Sequence, residues 1–519
     1  MMRLRFTQAG LASASRAGLW CVLVISILYS PFLRDEVYAV FEVGGVATAT
    51  SFWDMLLNPF NPDVINFYLV HQGRIVPFGL LVYHGGFWVT TRVALLLDID
   101  ILTVYFLLKA LILLGSYVGM RRLLHLINKL STSSKISDSS IVLISQIVSL
   151  VFLVGLRTDH SNRSGLMVYP FLTFTALFLA LWIPLIVLEI YTRPKLRKLR
   201  IFIVPLISIV LAFSYELHYV AVVSTLVSLW LVREKIGYRS FLDGVFLVLG
   251  IFLVAFLWNR SLIAQACAVN DCYTGTKISI GPDFPGAALN SFLGSLPSHF
   301  IESGDFESRV SRFLQQRLYL APLISAIVLS VDIGIRSQKV FKSDSSSLQQ
   351  FCRRAGLLGL SISIFTTLAM SASEFAQSLL TEAVPYRGYV AAWAGLALSS
   401  AVGAILLVTK IQSATSKRLA IASAISCLAI YQIPYSVSGT LALHSNGTNR
   451  LYAQVHQAFI ERDFSISGDT YRCKLLADLG DSRRAIRVTS SSNFNFLELY
   501  GKPFCSRIEN RALVNDETG

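Results

Sequence analysis

Charge is scarce in this chain. Only 15% of its 519 residues are Asp, Glu, Lys or Arg, against about 25% in an ordinary soluble domain. Acidic residues are the scarcer sign, 31 against 45 Lys and Arg. Long polar linkers, which would join the several domains of a soluble chain this size, are also missing. The polar stretches instead separate apolar runs of about 20 residues, enough to cross a bilayer. With 54% hydrophobic residues and a mean hydropathy of +0.59, a bundle of membrane helices accounts for the composition and a soluble fold does not. No C-x-x-C spacing occurs, which removes a zinc motif. No Walker loop or dinucleotide fingerprint occurs, which argues against ATP-driven transport by this chain alone. Internal repeats and low-complexity segments are absent too.

What charge there is has a pattern. The net +14 is not spread over a basic face, as nucleic-acid binding would need, but comes in bursts such as Arg193, Lys195, Arg197, Lys198 and Arg200. Bursts between apolar runs are the positive-inside signature of a membrane protein. The N-terminus reaches Arg34 without an acidic residue, and its apolar stretch ends in no small-x-small cleavage site. It reads as an uncleaved signal anchor with a cytoplasmic N-terminus.

Basic loops fix the alternation of the rest. The first span covers 17–33, and 34–98 is an external loop rich in Asp and Glu. Its apolar part, 75–97, is broken by Pro77, His84, Gly85, Gly86 and Arg92. Parity makes it interfacial or re-entrant, because the run 99–119 leads directly to the basic cluster at Arg121 and Arg122. Spans follow at 141–156 and 166–191, and the 32 apolar residues 201–232 cross twice around an external turn at 214–219, "SYELHY". Further spans at 241–258, 317–335, 355–371, 388–409 and 419–435 enclose a long external loop, 259–316. The fold class expected is an all-α membrane protein of about eleven spans. Residues 1–435 form the transmembrane domain and 436–519 an external tail or small cap. Of the seven cysteines, Cys267 with Cys272 and Cys473 with Cys505 share external segments, where disulfides are permitted. Lys109 falls inside a span, which calls for a partner in the bundle.

This topology collects polar residues on the external face. Asp35 and Glu36 follow the first span directly. Acidic residues contribute little to orientation, so a carboxylate there suits deprotonation of a hydroxyl acceptor. Glu216 and His218 interrupt 32 apolar residues; on a turn, Glu216 would act as auxiliary acid or acceptor ligand and His218 as donor. Asp159 and His160 repeat that argument in the preceding external loop. Arg74, His160, Arg163, Arg260 and Arg387 are external cations suited to a phosphate. "DID" at Asp98–Asp100 fits a metal-binding D-x-D pattern but opens an apolar helix, where Asp caps. Neither a metal nor another cofactor is indicated. The sequons at Asn162, Asn259 and Asn446 all fall in segments read as external.

An acidic pair after the first span, a long first external loop with interfacial helices, and many further spans resemble the GT-C class of membrane glycosyltransferases. Asp35-Glu36 and 34–98 carry the likeness, and "HQGR" at His71–Arg74 is similar to a Gly-Arg element in the first loop of some bacterial members. The likeness covers the topology of 1–435; Arg34 beside the pair and Lys109 within a span are not part of it. It implies transfer of a sugar from a polyprenyl-phosphate donor to a cell-envelope glycan or lipid acceptor, outside a bacterial inner membrane. Asp35 or Glu36 would be the base of an inverting enzyme. A lipid-linked glycan polymerase or ligase is the near alternative, and a transporter or flippase of lipid-linked saccharides the distant one.

Overall fold

The computed structural model describes residues 8–30, 51–131, 135–156, 170–269, 277–297, 311, 320–337, 345–381, 388–411 and 413–507. Nearly all of them are helical. Seven helices are long and apolar enough to cross a membrane. These are α4 (Pro77–Leu97), α5 (Ile101–Leu130), α6 (Asp138–Gly155), α7 (Pro170–Thr192), α10 (Tyr238–Val269), α13 (Ser345–Ser371) and α14 (Tyr389–Thr409). Around them lie α1 (Gln8–Leu28), α2 (Phe52–Leu57), α3 (Pro62–Gln72), α8 (Arg200–Ala212), α9 (Val220–Leu231), α11 (Phe284–Gly294), α12 (Leu320–Arg336) and α15 (Ala414–Ser445). Three C-terminal helices follow: α16 (Gly447–Glu461), α17 (Ile466–Asp478) and α18 (Arg483–Tyr500).

The bundle is held as membrane bundles are, by small residues and side chains that bond backbone. In α13 and α14, Gly359 and Gly395 face each other so closely that a Cβ on either would strike the other's carbonyl oxygen. Gly155 in α6 lies under the indole of Trp393, whose Nε1 donates to Phe152 O at 2.9 Å. The Tyr389 hydroxyl donates to Gly155 O and Ser436 Oγ to Leu156 O, tying α14 and α15 to the end of α6.

Helices α5 and α7 run parallel, which defines two ends of the molecule. Tyr105 meets Phe171, Gly115 lies against Phe178 and Gly119 against Trp182, so contacts climb both helices together. Both helices end at basic residues, Lys129 in α5 and the Arg193–Arg200 run after α7. We call this the basic end. The opposite end is aromatic, with Phe87, Tyr105 and Phe171 packed as one cluster.

The C-terminal helices pack at the aromatic end. Tyr452, Phe459, Phe496 and Phe504 share a hydrophobic cluster with Phe87, Ile101, Tyr105 and Phe171. Arg462 donates to Leu95 O at 3.1 Å, anchoring this cap to α4. Within the cap a Cys473–Cys505 disulfide joins residues 32 apart. Cys267 is also disulfide-bonded, and Cys272 lies outside the described residues.

Several boundaries and one assignment differ from the sequence reading, among them those of α5 (Ile101–Leu130 against 99–119) and α13 (Ser345–Ser371 against 355–371). The helix expected to end at 258 continues through Asn259 and Arg260 to Val269, because these polar residues face protein rather than lipid. The last apolar helix runs to Ser445, ten residues past its expected end at 435. Pro77–Leu97, expected to be interfacial, has the length and composition of a span. Its neighbours are the short helices α2 and the 3₁₀ turn Asn58–Phe60, the first turns of α5 and α7, and the cap.

Candidate functional site

Arg74 and Glu216, 142 residues apart in sequence, meet at the aromatic end, where Arg74 Nε donates to Glu216 Oε1 at 3.3 Å. Four local features bring them together. Gly73 closes α3 in the left-handed region (φ 60°), a conformation that suits glycine, and turns the chain so that Arg74 leaves the helix. The break between α8 and α9 occurs where "SYELHY" predicts, with a 3₁₀ turn over Glu216–Tyr219. Asn259 in α10 then clamps both partners' backbones, its Nδ2 donating to Ile75 O and to Ala212 O, each at 3.0 Å. Finally, α4 has glycine at 79, where any Cβ would overlap the ring of Tyr215. That ring carries the Arg74 guanidinium 5.4 Å from its centroid.

A second cation faces the same carboxylate. Arg260 follows the clamp residue Asn259 and lies over Phe256, and its charge acts on Glu216 and on Tyr219. Burial works against ionisation of Glu216, but Arg74, a backbone N–H and Arg260 together outweigh it and hold the carboxyl below its usual range. Glu216 and Arg74 remain open to solvent, at 35% and 18% side-chain exposure.

His218 behaves differently from its neighbour. It is fully enclosed beside Leu172 at the start of α7, and burial pushes its pKa down to about 4 against the pull of the Leu172 backbone and Glu216. The ring is therefore neutral at pH 7, and it is Glu216, not His218, that reaches the open cluster.

The aromatic end also receives the end of α1. Lys109 is buried, yet its Nζ donates to Ser30 Oγ at 2.9 Å and lies 4.1 Å from the centroid of Tyr105. Tyr29 packs edge-on against Phe106. The partner that an intramembrane lysine calls for is thus supplied by α1 and α5. Ser30 stands five residues before Asp35.

Of the residues singled out in the sequence, Asp35, Glu36, Asp159, His160, Arg163 and Arg387 lie outside the described residues. The D-x-D pattern resolves into two caps: Asp98 ends α4 in the left-handed region, and Asp100 Oδ2 accepts from Thr103 N at 2.9 Å to begin α5. The sequon at Asn259 is buried with its amide engaged, whereas Asn446 is an exposed helix cap. Sequence reasoning gave no structural role to Tyr215, read Asn259 only as a sequon, and did not foresee the Tyr68–His84 pair, whose Oη and Nε2 are 3.1 Å apart. Only Tyr215 carried a signal, standing next to Glu216 in the polar break. No family model matches the chain, and neither a curated protein nor a solved structure does.

Proposed function

We propose that this protein is a polytopic membrane glycosyltransferase that takes a sugar from a polyprenyl-phosphate-linked donor and passes it to a glycan or lipid acceptor on the non-cytoplasmic face. The aromatic end is that face, the basic loops are cytoplasmic, and about eleven helices cross, with α4 lying along the membrane surface. The observation that carries the reading is the convergence of Arg74, Glu216 and Arg260 from three separate stretches of chain. They meet at the end of the bundle where α1 also finishes, with Ser30 just beyond it and Asp35 and Glu36 following in the chain.

The chemistry needs two things. An acceptor hydroxyl must lose its proton, for which Asp35 or Glu36 is the base. Its oxygen then bonds to the anomeric carbon, and the carbon–oxygen bond to phosphate breaks with its electron pair staying on the phosphate. Arg74 and Arg260 stabilise that growing charge. Apolar helix faces exposed at Leu253, Val254 and Leu257 of α10, next to Arg260, suit the lipid tail. Transport of the same lipid would favour paired charges along several spans. Among the described residues the ion pairs lie toward helix ends, as with Asp332 and Arg336 in the last turns of α12, and the buried Lys109 donates to a hydroxyl.

The direct test is transfer by the purified protein. A synthetic polyprenyl-phosphate sugar should serve as donor and a nucleotide sugar should not. Turnover with a nucleotide sugar alone would remove the proposal. So would movement of the lipid-linked sugar across a proteoliposome membrane without transfer.

A further inference from the structure

The turn that joins α9 to α10 at the basic end combines charge, aromatic rings and lipid-facing surface in one place. Gly237 bends it with a φ of 83°, a conformation that a side chain would strain. A single helical turn, Arg233–Ile236, precedes the glycine, and α10 begins directly after it at Tyr238. Three cations lie on this stretch, Arg233, Lys235 and Arg239, against one carboxylate, Glu234. Arg233 is seated on the end of α9. Its guanidinium lies 4.4 Å from the centroid of the Trp230 ring, and its Nη1 donates to Trp230 O at 3.2 Å. Asp243, one turn along α10 from Arg239, is taken up by Arg200 and the Tyr191 hydroxyl. Among the described residues neither Lys235 nor Arg239 has an ion-pair partner, and both side chains are exposed.

Beside the cations the surface turns apolar. Tyr238, Leu242 and Phe246 follow one another at four-residue spacing, so they share a face of α10, and all three are exposed. Trp230 is exposed at the end of α9. An indole and a phenol at helix ends, with apolar side chains leading away from them, mark the level where headgroups meet hydrocarbon. Ile201 and Phe202, also exposed, widen this surface at the start of α8, which Arg200 ties to Asp243. Cations at the head of an apolar stripe match a molecule with a negative headgroup and hydrocarbon chains. A soluble anion would use the cations and leave the stripe idle.

We propose that the α9–α10 turn is a binding site for an anionic phospholipid in the leaflet at the basic end, with Arg233, Lys235 and Arg239 on its phosphate and Tyr238, Leu242 and Phe246 along its acyl chains. The site lies at the opposite end of the bundle from Arg74 and Glu216 and does not depend on the transferase reading. Full-length protein in detergent micelles is titrated with phosphatidylglycerol or phosphatidylcholine, and native mass spectrometry follows the first lipid bound. Wild type should prefer phosphatidylglycerol. Lys235→Gln and Arg239→Gln should each weaken its binding about fivefold, the worth of one basic residue near an anionic surface, and the double change by about the product. Lys129→Gln with Lys410→Gln, two exposed cations elsewhere at the basic end, should stay within about twofold of wild type, since neither faces the proposed lipid. A wild type without preference overturns the inference, as do unchanged binding in the Lys235 and Arg239 variants and an equal loss in the control. Should the variants fail to fold, the wild type decides. Acetylation of Lys235 must then slow more than that of Lys410 when nanodiscs of phosphatidylcholine are enriched in phosphatidylglycerol, and equal slowing overturns the site. Inorganic phosphate and glycerol 3-phosphate separate the lipid from a free anion. If either protects Lys235 in phosphatidylcholine nanodiscs as well as phosphatidylglycerol does, the turn binds soluble phosphate and the lipid assignment falls.

Discussion

The same three residue types, arginine, carboxylate and tyrosine, form a cluster at each end of helix α7. At the basic end, Asp243 accepts from Arg200 at 3.2 Å and from the Tyr191 hydroxyl at 2.9 Å, and Arg200 lies over the Tyr191 ring at 5.8 Å. At the aromatic end, Arg74 lies over Tyr215 at a similar 5.4 Å, but Glu216 faces two arginines. The exposures of the paired side chains are nearly equal, 21% and 35% against 18% and 35%. Burial therefore does not distinguish them; the number of cations acting on the carboxylate does. In the first cluster one cation and one hydroxyl meet the same oxygen of Asp243. In the second, Arg74 bonds Glu216 from its place on Tyr215, and the charge of Arg260 acts on the same carboxylate.

The sharpest test of that contrast removes chemistry from one end only. Asp35→Asn with Glu36→Gln should lower sugar transfer by about 10²–10⁴-fold, the usual worth of a general base, with expression unchanged. Transfer that survives the double change means the base is elsewhere. Next comes the arginine itself. Arg74→Ala should raise the barrier by about 2.7–4 kcal/mol, by analogy with loss of one oxyanion donor, while Arg200→Ala leaves kcat within a few-fold of wild type. Equal losses at both positions would mean that the two clusters are equivalent structural ties.

How far the sequence foretold this contrast depends on range. The polar break in residues 201–232 was legible because water-seeking groups interrupt a run that otherwise wants lipid, and the turn lies at Glu216–Tyr219. The cysteine pair in the tail was legible as a pair, and Cys473 and Cys505 are bonded. The Arg74–Glu216 contact was not, since no local periodicity encodes a meeting across 142 residues. Asn259 was misread for a related reason. Hydropathy assigns Asn-Arg-Ser to a loop, yet a helix tolerates buried polar residues when backbone carbonyls such as Ile75 O and Ala212 O wait for them. Parity read 75–97 as interfacial or re-entrant because polar breakers interrupt it, yet the helix has the length and composition of a span.

A smaller effect separates the two ends through their glycines. Gly79→Ala places a methyl inside the ring of Tyr215 and near its backbone, so it should destabilise by about 1–3 kcal/mol through overpacking and weaken lipid-phosphate binding as the platform under Arg74 shifts. At the basic end, a Cβ on Gly244 meets only the mobile tip of Leu229 at 3.0 Å and Tyr191 at 3.4 Å. Gly244→Ala should change stability by less than about 1 kcal/mol, helix propensity offsetting the contact. Thermal unfolding of both variants in one detergent makes the comparison. A tolerated Gly79→Ala would mean that Tyr215 is not held where the arginine needs it.

The smallest effect is a pH dependence, and it asks whether the aromatic-end carboxylate is ionised at all. Among the described residues, four groups act on or lie beside Glu216: the cations Arg74 and Arg260, the neutral ring of His218, and Tyr219. Its folded pKa lies below the ordinary 4.5, so the unfolded chain binds the proton first on acidification. The stability contributed by the ion pair is then fully present above about pH 4.5 and is lost as pH falls through the lower folded value. His218 adds its own loss, because its folded pKa of about 4 lies below the ordinary 6.5 and protons favour the unfolded chain as pH falls through that interval. Down to about pH 4 that second loss is common to wild type and Glu216→Gln and cancels when the two are compared; below it the pull of Glu216 on His218 separates them. The wild type should exceed Glu216→Gln by no more than about 1 kcal/mol near neutrality, given how open the pair is to solvent. The margin should stay flat down to about pH 5 and close below pH 4.5. A margin that instead widens on acidification would mean that Glu216 is already protonated at neutral pH. The contrast between the ends would then lie in geometry rather than in charge.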